Sequence, residues 1–312
     1  MRGVTGMQFS NKKEQIAFMV GIGVAVAIIL FAVMAKQSGD SLSKNSHYQT
    51  TLEKKRILSQ MRIDLLKSVE MEKNAVMALT DQESMDFANQ SRVASAAVGQ
   101  NLNSLRSLVD TVPSQDEQKL INEFTSCWAE FGKLDQEILG LAVENTNLKA
   151  AALSRGKGAE TMRKLEQALE DLLQSSTGTQ DESRIAGPVS RALIAGLKIY
   201  NLHSAHIAEA TEETMDQIEA QMKTEEIKVA DSLAALSNLV GAENLEAVSQ
   251  AKTAFAEFAA VTAEVVQLSR KNSNVKSMEL SFGKKRRIAA QCDAVLAAFQ
   301  ETVHNKTYKA TK

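Results

Sequence analysis

A chain of 312 residues with a formal charge of -2, its acids and bases interspersed, lacks the basic face of a dedicated nucleic-acid binder. Two prolines, 4% aromatic residues and an abundance of Ala, Leu, Glu, Lys, Gln and Ser make the composition of long helices, in roughly two domains by length. The two cysteines, Cys127 and Cys292, read as buried thiols; a disulfide is the alternative, which two positions do not decide.

Taken in chain order, residues 1–15 form a short tail carrying Arg2, Lys12 and Lys13. Residues 16–35 follow without a single charge, IAFMVGIGVAVAIILFAVMA, about 30 Å as a helix and so enough to span a bilayer. A cleaved signal peptide has a shorter apolar core and a small-residue cleavage site, so an uncleaved transmembrane helix is expected. The basic tail before the span places the N-terminus in the cytoplasm and the body outside, in the periplasm of a bacterial inner membrane.

Residues 41–175 then read as four amphipathic helices. Leu58, Met61, Leu65, Val69, Val76 and Leu79 mark the face of the first, and Thr80 or Asp81 caps the next. Val93, Val98, Leu102, Leu105, Leu108 and Val109 mark the second, which Pro113 ends. A heptad with Phe124, Phe131, Ile138 and Asn145 at one position and Cys127, Leu134, Leu141 and Leu148 at the other marks the third. Arg155-Gly156-Lys157-Gly158 is expected to turn the chain into a fourth helix with Met162, Leu165, Leu169 and Leu172, before a polar linker from Ser175 to Asp181.

Residues 183–304 repeat this order, with Leu193, Leu197, Tyr200 and Ile207 on the first helix and a polar tail at 305–312. The repeat is legible residue by residue. At a constant offset of 127, Phe131 corresponds to Phe258, Asn145 to Asn272, Asn147 to Asn274, Lys149 to Lys276, Leu153 to Leu280 and Gly156 to Gly283. A unit this long is a whole small domain, longer than solenoid repeats of ~20–50 residues. The expected fold is therefore all-α: an N-terminal transmembrane helix followed by two tandem up-down-up-down four-helix bundles.

The apolar span, the helix with Met71-Glu72-Lys73-Asn74, the LTDQESMDF hairpin and the third helix ending in ENTNLKAAALS resemble the four-helix-bundle ligand-binding domain of bacterial methyl-accepting chemotaxis receptors. The resemblance covers about residues 10–175, and the second unit through the duplication. It implies a periplasmic sensor of organic acids, amino acids or a ligand-loaded periplasmic protein, working as a dimer and signalling through small helix shifts. The second span and cytoplasmic signalling hairpin of such receptors are absent from the sequence, so a membrane signalling partner is expected. The alternatives are a receptor truncated before its output half, or a helical rod that serves as a structural adaptor for protein–protein contacts.

Polar residues that interrupt the apolar stripes are the candidate ligand-binding positions: Glu72, Asn145 and Lys149 in the first unit, Asn272 and Lys276 in the second. Glu72 and Asn145 each lie nine residues before an expected turn, which would place them in one layer of the first bundle, where bundles build their pockets. The competing reading is structural, a buried Asn that fixes register. His203 and His206 are a weak metal candidate; the competing reading is the polar face of an exposed helix. Lys284-Lys285-Arg286-Arg287 reads as a solvated turn. The sequence carries no phosphate loop, nucleophile elbow or zinc-hydrolase pair, so neither an enzyme nor a cofactor is expected.

Overall fold

The computed structural model describes residues 48–111, 114–178 and 181–310, with side chains up to residue 305. The expected tail (1–15) and transmembrane helix (16–35) lie outside the described residues, and no described helix is long and apolar enough to cross a membrane. All regular structure among the described residues is helical: α1 (48–77), α2 (Asp81–Thr111), α3 (Gln115–Glu144), α4 (Thr146–Leu153), α5 (Ala159–Ser176), α6 (Glu182–Ala208), α7 (Glu212–Leu239), α8 (Leu245–Lys271), α9 (Ser273–Leu280) and α10 (Arg286–Ala310). α10 thus runs through most of the segment read as a polar tail.

Local sequence sets these boundaries. Thr80 Oγ1 accepts the backbone N–H of Glu83 at 3.2 Å and caps α2. Leu79, counted with the apolar stripe of α1, lies beyond the helix end and is 79% exposed. The α3 stripe is buried from Phe124 to Ile138, then shifts to Leu139 and Ala142 because 3.6 residues per turn drifts from a seven-residue repeat. Val93 is exposed on α2, and the buried face of α6 is Ile185, Val189, Ala192, Ala195 and Ile199 rather than Leu193 and Leu197.

The helices close two apolar cores, but not those of two tandem units. The first core joins Leu58, Met61 and Leu65 of α1, Val98, Leu102 and Leu105 of α2, and Phe124, Phe131 and Ile138 of α3 to Ile288, Leu296, Phe299 and Val303 of α10. The second joins Met162, Leu165, Leu169 and Leu172 of α5 to α6, α7 and α8. Each bundle therefore takes its fourth helix from the other repeat, and the expected division into 41–175 and 183–304 is corrected accordingly.

The reason lies at Arg155-Gly156-Lys157-Gly158, which reads from sequence as the turn that reverses the chain into a fourth helix. Gly158 instead has φ -62°, and Ser154–Gly158 forms a π-helical turn that carries the chain on into α5. Ser281–Lys285 does the same between α9 and α10. Because the two repeats carry equivalent apolar stripes, α10 fits where α5 would have packed, and α5 where α10 would have packed.

The result is a pair of long antiparallel rods, 115–176 and 245–310, roughly 90–100 Å each in helical rise. Their register is fixed at three heights: Cys127 is disulfide-bonded to Cys292, Thr146 Oγ1 lies 3.2 Å from Ser273 Oγ, and Ser175 Oγ donates to Asn244 Oδ1 at 2.7 Å. The disulfide joins α3 to α10, with Cα atoms 5.7 Å apart, in place of the two buried thiols expected.

Candidate functional site

The rods cross where the repeated asparagines stand. Asn145 and Asn272 both adopt left-handed backbone conformations, φ 50° and 55°, which Asn tolerates better than other non-glycine residues. Each ends one helix and starts the next, which leaves backbone donors without helical partners. The opposite repeat supplies those partners. The N–H of Thr146 donates to Ser273 Oγ at 3.0 Å, and the N–H of Ser273 to Thr146 Oγ1 at 3.1 Å. The N–H of Asn147 donates to Asn274 Oδ1 at 3.1 Å, and the N–H of Asn274 to Asn147 Oδ1 at 3.2 Å. Asn274 Nδ2 donates to Asn145 Oδ1 at 3.0 Å, and Asn147 Nδ2 to Asn272 Oδ1 at 2.8 Å. The remaining amide groups tie the crossing to the helix hairpins, Asn145 Nδ2 to Asp81 Oδ1 at 3.0 Å and Asn272 Nδ2 to the Glu209 carbonyl at 2.9 Å.

Each of these side chains is hydrogen-bonded within the fold. Lys149 and Lys276 are exposed beside the crossing. Lys149 Nζ lies 3.3 Å from Asp81 Oδ2 and donates to the Glu144 carbonyl at 2.8 Å.

Glu72 is not in that layer. It is buried in the first bundle, where its Oε2 lies 3.6 Å from Lys285 Nζ. Lys285 is 1% exposed; its ammonium also binds Asp135 and sits 4.3 Å from the centre of the Phe131 ring. Asp135 accepts from Ser95 Oγ at 3.4 Å, and Ser95 Oγ lies 2.7 Å from Ser68 Oγ. Both Glu72 oxygens and the Ser281 hydroxyl are buried without a well-formed hydrogen bond, Ser281 and Lys285 being the donors beside Glu72. Burial holds the Glu72 carboxyl above the usual carboxylate range, against the opposing pull of the Lys285 ammonium. Two carboxylates thus share one ammonium in a water-poor layer.

The second bundle carries a polar layer at the same height with different chemistry. α1 ends at 77 and α6 at Ala208, so residue 203 stands where residue 72 does. His203 Nδ1 lies 3.0 Å from Ser154 Oγ and Nε2 3.0 Å from Thr262 Oγ1, with its ring stacked on Phe258. Ser154, Thr262 and Phe258 are the counterparts of Ser281, Asp135 and Phe131, and Gly158 is that of Lys285. Burial lowers the His203 pKa to about 4, so the imidazole is neutral.

His206 is buried as well, its Nδ1 2.8 Å from Ser269 Oγ and its Nε2 2.9 Å from Glu219 Oε1. Arg270 Nε donates to the same Glu219 oxygen at 2.6 Å. Neither histidine lies on an exposed face, as their reading from sequence had it. Both nitrogens of each ring are engaged by protein groups, and no group of three or more His, Cys, Asp and Glu among the described residues is placed to hold a metal.

Asp135 and Lys285 escape the sequence reading for separate reasons. Asp135 is adjacent to the heptad position of Leu134, where a charge reads as solvated. Lys285 is hidden in the basic run, yet it stands three residues before Ile288 and seven before Cys292, on the stripe that α10 buries. That spacing was the available signal.

Open grooves lie between helices of the second bundle. One of about 400 Å³ is bordered by Lys164, Gln167 and Asp171 of α5 and Glu246, Gln250 and Glu257 of α8. Another of about 470 Å³ is bordered by Lys198, Asn201, Gln221 and Glu225 of α6 and α7.

Residues 13–181 match the family model described as a four-helix-bundle sensory module for signal transduction. Among solved structures, the chain is similar to the TorS sensor domain, from its complex with TorT in the presence of TMAO. The TM-score is 0.40 at 14% identity, over 81% of this chain and 99% of that one. No curated protein matches.

Proposed function

Because the chain belongs to the four-helix-bundle sensory modules for signal transduction, we propose that it is a membrane-anchored, non-catalytic sensor of the chemoreceptor type that passes its signal to a partner protein in the membrane. The observation that carries the mechanism is the exchange of helices. The rods 115–176 and 245–310 each contribute to both bundles, so a ligand that shifts α5 against α8 displaces helices continuous with α3 and α10. The crossing hydrogen bonds at Asn145–Asn147 and Asn272–Asn274 hold the rods in one register while this happens. α1 of the first bundle then leads back to the apolar segment at 16–35.

A periplasmic location is supported by the Cys127–Cys292 disulfide, since such bonds persist in oxidising compartments. Organic acids, amino acids or a ligand-loaded periplasmic protein are the proposed inputs. The grooves of the second bundle suit a small polar molecule, and the exposed ammoniums of Lys149 and Lys276 suit an anionic group at the crossing.

A thermal-shift screen of the full chain in detergent against organic acids and amino acids tests this reading. A ligand at ~100 times its dissociation constant stabilises its module by about 2.7 kcal/mol. A shift abolished by Gln250→Ala or Gln221→Ala supports a groove site, and one abolished by Lys149→Ala a site at the crossing. Silence throughout, in a chain that melts cooperatively, counts against a small-molecule sensor.

One observation favours protein docking as a second reading. The exposed aliphatic pair Ile63 and Leu66 on α1 recurs at the equivalent positions of α6 as Ile194 and Leu197. If these faces bind protein, a second copy included, Ile63→Glu and Ile194→Glu lower the apparent mass in light scattering without changing the melting curve.

A further inference from the structure

We propose that the Glu72–Lys285–Asp135 layer of the first bundle is a proton-binding site, in which Glu72 takes up one proton on mild acidification and thereby alters the hold of α1 on α10. This concerns the chain's own carboxyl and stands apart from any organic ligand.

Three observations place the site. First, the layer is sealed: Glu72 is 0% exposed and Lys285 1%. Second, its charge is unbalanced. The groups facing Glu72 are Lys285 and Ser281 from the second rod and Asp135 from α3, while the side chains that continue the layer on α1 and α2, Ser68, Ser91 and Ser95, carry no charge. With both carboxylates ionised, one negative charge is left buried without compensation. Third, the two acids are not equivalent. Asp135 is bonded closely to Lys285 and to Ser95, whereas Glu72 stands 3.6 Å from the ammonium and makes no well-formed hydrogen bond, with Ser281 the other donor beside it. The added proton therefore goes to Glu72. Its new O–H is a donor beside the buried Ser281 Oγ, which can accept it. The Lys285 ammonium is then left to Asp135 alone.

The consequence is positional. Lys285 is the last residue of the π-helical turn that leads into α10, and such turns occur frequently at functional sites. With Glu72 ionised, Lys285 tethers α10 to both α1 and α3; with Glu72 protonated, only the tether to α3 is ionic. The equivalent layer of the second bundle lacks the acid and the base, having His203, Thr262 and Gly158 instead, so the response belongs to the first bundle.

The sign is fixed by the direction of the Glu72 shift. A carboxyl whose folded pKa is raised binds its proton more tightly in the folded chain, so stability increases as pH falls from above the folded pKa towards the unfolded value of 4.5. The experiment is a pH series of urea denaturation on the full chain in detergent, for the wild type and Glu72→Gln. Other titrating groups, His203 included, are common to both proteins, so the difference between the two curves isolates Glu72. The expected result is a gap in favour of Glu72→Gln at pH 8 that narrows as pH falls towards 5. Parallel curves overturn the proposal. Infrared spectra of the wild type minus those of Glu72→Gln test it independently of stability. A protonated carboxyl band that grows between pH 8 and pH 5 without solvent-exchange broadening is expected, and its absence across that range overturns the proposal.

Discussion

Cutting the chain between the repeats tests the exchange of helices directly. A protease site inserted between Gly178 and Asp181 yields one fragment with α1 to α5 and one with α6 to α10. In separate tandem bundles the two would part once the disulfide is reduced. In the exchanged fold each fragment lends a helix to the other's core. Met162, Leu165, Leu169 and Leu172 leave the first fragment for the second bundle, and Ile288, Leu296, Phe299 and Val303 leave the second fragment for the first. At roughly 1.5–3 kcal/mol for each of these eight fully buried side chains, the gross gain is on the order of 12–24 kcal/mol. The hydrogen bonds of the asparagine crossing and the ion pairs Lys285–Asp135 and Arg62–Asp293 add specificity. Association of two bodies costs about 4–15 kcal/mol, so the fragments should remain together at micromolar concentration. The disulfide spans 165 residues and restricts the uncut unfolded chain by about 5 kcal/mol, but the cut complex should not depend on it. The assay is size-exclusion chromatography of the cleaved, reduced protein, followed by mass spectrometry of each peak. Two separate peaks, each with native helicity, would refute the exchange.

Three further outcomes follow from the buried polar groups. Lys285→Met removes the ammonium that Glu72 and Asp135 share and should cost about 3–5 kcal/mol in urea denaturation, with part of the loss recovered by adding Glu72→Gln; equal losses in the single and double variants would show that the groups are uncoupled. His203 is a base whose folded pKa of about 4 lies below its unfolded value of 6.5, so its contribution is present above that value and is lost as pH falls through the window. That loss is roughly 3 kcal/mol by pH 4, and His203→Gln should flatten it; an unchanged acid limb would mean that another group controls it. At the crossing, Asn145→Gly and Asn145→Ala lose the same hydrogen bonds to Asp81 and Asn274, but only Ala is strained at φ 50°. The alanine variant should be the less stable by about 1–2 kcal/mol in thermal melts, and equal melting points would argue against a left-handed Asn145.

The Glu72 and His203 layers bear on how such a module responds to its surroundings. Both are built on duplicated positions, yet one holds three charges and the other a neutral ring between hydroxyls. Acid therefore acts on the two bundles in opposite senses: it relieves the first by neutralising Glu72 and burdens the second by favouring a charged His203. Both layers are carried by the same two rods, which run through both bundles.

The sequence by itself determined which stretches are helical, where most core positions fall and that the chain is duplicated. Those properties rest on local periodicity, and the offset of 127 linking Asn145 to Asn272 is visible without coordinates. It could also mark Glu72 as a polar residue on an apolar stripe. What only the tertiary structure decided is which repeat each helix serves. Duplicated stripes are interchangeable, so Leu165 and Leu169 pack as well on α6 and α8 as on α1 and α3, and nothing in their spacing chooses. The choice falls to the backbone at Ser154–Gly158 and Ser281–Lys285, where a π turn continues the rod instead of reversing it. From that choice follow the pairing of Cys127 with Cys292 and the meeting of Glu72 with Lys285, which stand 165 and 213 residues apart in sequence. It also makes the repeated asparagines the joint that holds the rods together.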